Sequence, residues 1–74
     1  MKIAIKRRKV LRILAEMNKS QNWLAHKMYT SSGYMSQLMS GVRNPSPRIR
    51  ERLQRVLKVK NWKDIFKMKG KASG

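Results

Sequence analysis

Between Ser20 and Pro45 the chain has little conformational choice. Leu24, Ala25 and Met28 recur at helical spacing and predict a helix over about Gln21–Met28. Met35, Leu38 and Met39 do the same for a second helix over about Ser32–Ser40. Thr30, Ser31 and Ser32 lie between them, where hydroxyls can cap the orphan N–H groups of a new helix. Ala25 is small enough for the two helices to cross closely, and Gly41 followed by Arg43, Asn44 and Pro45 stops the second. The outer face of that second helix is polar, so its apolar stripe must be covered from one side only.

Two short helices around a tight corner form a helix-turn-helix, whose second helix can enter a DNA major groove. The segment resembles the phage-repressor/Cro (Xre-type) helix-turn-helix family. That family's pattern runs Gln-x-x-Leu-Ala, Gly-Val-Ser, Ile-Ser and a Gly-x-Arg-x-Pro loop. Gln21, Leu24, Ala25, Thr30, Ser31, Met35, Ser36, Gly41, Arg43 and Pro45 stand in that register, and the likeness extends weakly over most of residues 1–67. Two positions depart from it: Tyr29 replaces the usual glycine of the turn, and Met39 a frequent glutamate.

The resemblance implies an all-α, compact five-helix lambda-repressor-like domain over residues 1–67. It also implies sequence-specific binding of double-stranded DNA by a repressor-like or Cro-like transcriptional regulator. By the same resemblance Ser32, Gly33, Tyr34 and Gln37 would face the bases. Gln37 is the foremost reader, since its amide can bond an adenine edge bidentately. Gly33 permits close approach, Ser32 can donate or accept, and Tyr34 could touch a thymine methyl or a phosphate. Gln21 resembles the family's phosphate-positioning glutamine, while Ser31, Ser40, Arg43 and Asn44 would grip the backbone on either side.

Around this motif the periodicity predicts a helix over about 7–17, with Val10, Ile13, Leu14 and Met17 inward and Leu11 widening the stripe. Asn18 suits the left-handed conformation that ends it, and Ser20 can cap the next helix. Ser46 and Pro47 begin a fourth helix to about Lys58, with Ile49, Leu53, Val56 and Leu57 inward. Asn61 would cap a short fifth helix through Phe66, and residues 68–74 read as a basic flexible tail. No repeat and no strand-like alternation stands out.

Seventy-four residues support one small core. Nineteen Lys and Arg against three acids give a net charge of +16, which suits a polyanionic partner. Lys6, Arg7, Arg8 and Lys9 crowd the start of the first helix, where the macrodipole disfavours cations by roughly 0.3–1 kcal/mol each. Phosphate contact by Lys6, Arg7 and Arg8 explains that placement better than stability does.

Other chemistries find little support. No cysteine is present, so thiolate metal sites and disulfides are excluded, and lone His26 makes a poor metal site. Glu16, Glu51 and Asp64 fall in different helices, no serine has an evident base, and no glycine-rich phosphate loop occurs. Neither an enzyme, a cofactor nor a small-molecule substrate is expected. The six methionines fit core gap-filling, and Trp23 and Trp62 fit the core's margin, though Trp62 could also serve a dimer. The basic N-terminus resembles a leader, but Arg12 and Glu16 interrupt its apolar run. The expectation is a cytoplasmic, nucleoid-associated protein of bacterial or phage origin. A homodimer through the C-terminal helix or on DNA is left open. Two alternatives stand: a DNA-architectural or recombination-accessory (excisionase-like) protein, and a cationic membrane-active peptide.

Overall fold

The computed structural model describes residues 2–69. Its elements run β1 (Lys2–Ile5), α1 (Arg7–Glu16), α2 (Gln21–Lys27), α3 (Ser32–Ser40) and α4 (Pro47–Leu57). A 3₁₀ turn (Trp62–Asp64) then leads into β2 (Phe66–Lys69).

Helix starts follow the anticipated caps. Ser20, Ser31 and Ser46 accept hydrogen bonds from the N–H groups of Trp23, Tyr34 and Ile49, and Pro47 occupies the opening turn of α4. Helix ends share one device: a left-handed residue stops each of the four α-helices. Asn18, Tyr29 and Lys58 have φ of 59°, 58° and 58°, and Gly41 has 85°. After the first three, the next N–H reaches back five residues, from Lys19 to Leu14, Thr30 to Ala25 and Val59 to Gln54. These closures satisfy carbonyls that a helix end would otherwise orphan.

The five-helix all-α expectation is overturned. Four α-helices pack with a two-stranded antiparallel sheet, in which Lys2, Ile3, Ala4 and Ile5 pair with Lys69, Met68, Lys67 and Phe66. The segment expected as a fifth helix keeps only the Asn61-capped 3₁₀ turn, because the chain must then straighten to meet β1. Met68 and Lys69, expected in the flexible tail, belong to β2, while residues 70–74 lie outside the described residues. A dimer through a C-terminal helix loses its stated element, since the last described element is a strand.

One core joins all of these elements. Val10, Leu14, Leu24, Ala25, Met28, Met35, Leu38, Met39, Leu53 and Leu57 are buried there, as the spacing anticipated, and Ile65 and Phe66 join them from the 3₁₀ turn's end and β2. Ile13, Met17, Ile49 and Val56 are only partly covered. The sheet adds Ala4 and Ile5, both buried and both absent from the sequence-based core. Four of the six methionines fill this interior or its edge, and none of the described polar or charged residues is buried. Trp62 tilts over Phe66 with ring centroids 5.5 Å apart and packs, partly buried, against the core.

Candidate nucleic-acid interface

Helix α3 presents its buried stripe to α2 and β1 and its opposite face to solvent. Ser32, Gly33, Ser36, Gln37 and Ser40 are exposed on that side. Ser36, one turn beyond Ser32 and Gly33, was missing from the expected reading set, although the three- and four-residue spacing could have found it. A Cβ built on Gly33 would meet nothing within 4 Å, so this point of the face is open to close approach. Tyr34 is half-buried against the core, with its ring turned toward the following loop.

Gln37 is the hub of this face. Its carbonyl accepts from Ser40 Oγ at 3.2 Å and from the Arg43 N–H at 3.2 Å. Its side-chain Oε1 accepts from Arg43 Nε at 3.0 Å. Because a guanidinium N–H can only donate, this bond assigns oxygen and nitrogen on the Gln37 amide. The same guanidinium lies 5.2 Å from the centre of the Tyr34 ring. Expected base reader and expected phosphate clamp are therefore one connected group. Asn44 is exposed in the same loop, and Val42 projects beside it, 77% exposed.

The remaining expected positions divide. Gln21 opens α2 and is half-buried. Ser31 is exposed, with its oxygen already capping α3 through Tyr34 N–H at 3.0 Å. Lys6 donates through Nζ to the Lys63 carbonyl at 2.7 Å. Arg7 and Arg8 are exposed at the start of α1, and they adjoin α3 only at its C-terminal end. Arg52 was missed. It donates to the Met28 carbonyl at 3.0 Å and stacks 5.3 Å from the Tyr29 ring centre, bracing the turn from α4. No local pattern marks it, since the contact spans twenty-four residues.

Electrostatically the site has one sign. No Asp or Glu occurs between Glu16 and Glu51, a span that contains α2, α3 and the loop after it. Lys19 and Lys27 flank the Trp23 ring at 5.3 and 5.8 Å, and Trp23 itself packs against the core. Glu16, Glu51 and Asp64 are exposed, and no group of three metal-ligating side chains occurs among the described residues. No helix among them is long and apolar enough to cross a membrane.

Comparison with known proteins gave no matching family model, no matching curated protein and no matching solved structure. The likeness to Xre-type helix-turn-helix proteins thus stands on the residues of this chain alone.

Proposed function

We propose that this chain binds duplex DNA with α3 in the major groove and acts as a transcriptional regulator. The observation that carries the reading is the acid-free outer face of α3, on which an exposed Gln37 amide is held by Arg43. An amide of fixed orientation is what bidentate reading of a base edge requires. Ser32 and Ser36 flank it as short donors or acceptors, and Gly33 lets the helix backbone come near the bases. Gln21, Ser31, Ser40, Asn44 and the free N–H groups of Arg43 would contact phosphates and set the register. Such a protein would work beside bacterial or phage DNA in the cytoplasm.

DNase footprinting with the purified chain tests this reading. One short protected site is the expected result; no protection at any concentration would contradict it. A second reading has its own support. With Gly33, Ser32 and Ser36 so small, Gln37 is the only long side chain on the exposed ridge, so base discrimination would be modest. An architectural or recombination-accessory protein would then give a footprint that spreads with concentration. A membrane-active peptide fits less well, because the buried residues of all four helices and of the sheet share one core.

A further inference from the structure

A groove of about 510 Å³ runs between the start of α1, the sheet and the C-terminal end of α3. Its floor is apolar, made by Ala4, Ile5 and Met39, and its rim carries Lys6, Arg7, Arg8, Lys9, Lys67 and Lys69. No acid lines it. Among the described residues only Lys6 of these six makes a side-chain hydrogen bond. Lys67 and Lys69 share one face of β2 by strand alternation, and a Cβ on Gly41 would lie 3.4 Å from Lys69 Nζ. The sheet therefore brings two lysines from the end of the chain to the end of α3. Lys69 alone could be explained by the negative end of the helix dipole. Arg7, Arg8, Lys9 and Lys67 have no such explanation, and their mutual repulsion opposes their gathering.

The groove opens beside the reading face. Ser40 lines it and follows Gly33, Ser36 and Gln37 along the same helical ridge. A nine-residue helix is roughly 13 Å long and the major groove about 12 Å wide. An α3 seated there would bring its C-terminal end against one sugar-phosphate strand.

We propose that this groove is a phosphodiester-binding channel, in which Arg7, Arg8, Lys9, Lys67 and Lys69 hold the DNA strand that borders the C-terminal end of α3. The inference rests on the DNA-binding reading and adds to it a second wall of contact built by the sheet.

The test compares full-length variants of equal charge. Lys67→Gln/Lys69→Gln removes two groove cations, and Arg8→Gln/Lys9→Gln removes two from its other side. Arg55→Gln/Lys60→Gln removes two exposed cations that do not line it. Affinity for a duplex carrying the footprinted site is measured from low to moderate salt, with thermal melts confirming that each variant folds. Each groove pair should flatten the slope of log K against log salt by about 1.8, from roughly 0.9 per phosphate, and the control pair by less than about 0.5. Equal effects from groove and control pairs, with wild-type binding intact, would overturn the channel while leaving the reading face untouched. Failure of the wild-type chain to bind duplex DNA would instead overturn the reading on which the channel rests.

Discussion

Gln37 and Arg43 cannot be separated into reader and clamp, because the Arg43 Nε–H is bonded to the Gln37 amide oxygen. Gln37→Ala should cost roughly 1–3 kcal/mol on a preferred site and little on random DNA. Arg43→Ala should flatten the salt slope by about one unit, as loss of a phosphate contact does, and also reduce preference for that site. A double-mutant cycle read by fluorescence anisotropy should give a coupling of about 0.5–3 kcal/mol on the preferred duplex. Strict additivity there would show that the Arg43–Gln37 bond does not serve recognition. Tyr29 tests the turn in a different way. Its φ of 58° costs an L-residue roughly 1–2 kcal/mol, while its exposed ring is stacked by Arg52, worth about 0.5–1 kcal/mol. Tyr29→Gly should therefore raise the melting temperature slightly, and more clearly in an Arg52→Ala background. A loss in both backgrounds would mean the ring holds the turn. Much at this scale was legible: the capping serines, Asn18 as a helix stop, and Tyr29 at a position where the Xre-type pattern has glycine. Lys58 was not, because lysine has no special tolerance for the left-handed region it occupies.

Helices were easier to read than strands for a physical reason. A helix writes its buried face into three- and four-residue spacings within one window, and α1 to α4 did so. Strands β1 and β2 have four residues each, are flanked or filled by lysines, and pair across more than sixty residues. Lys2, Ile3, Ala4 and Ile5 therefore look like a basic leader, and Phe66 to Lys69 like the end of a helix and a tail. Only the partner makes either one a strand, so no local pattern places Lys67 and Lys69 beside the start of α1. Ile5→Ala should cost about 2–4 kcal/mol, because the side chain is 5% exposed within the core. That corresponds to a fall of very roughly 10–25 °C in Tm. The half-buried Ile3 should cost clearly less on the same truncation. Equal, negligible effects in thermal melts would mean that the sheet adds nothing to the fold.

For the whole molecule the dominant fact is a charge of +16 around a small apolar core. Self-repulsion of this size should make stability rise with salt up to a few tenths molar, since the Debye length falls to about 8 Å at 0.15 M. Duplex DNA should stabilise further, by about 2.7 kcal/mol at a concentration one hundred times Kd. The dependence of binding itself should be steep: about six phosphate contacts give a slope near −5. The central claim is that α3 reads sequence through Gln37, and selection of bound duplexes from a random library tests it most directly. Wild-type protein should enrich one short motif, and Gln37→Ala should lose preference at one or two adjacent positions of that motif while still retaining salt-sensitive binding. Enrichment of no motif by the wild type, or of the same motif by Gln37→Ala, would contradict the account.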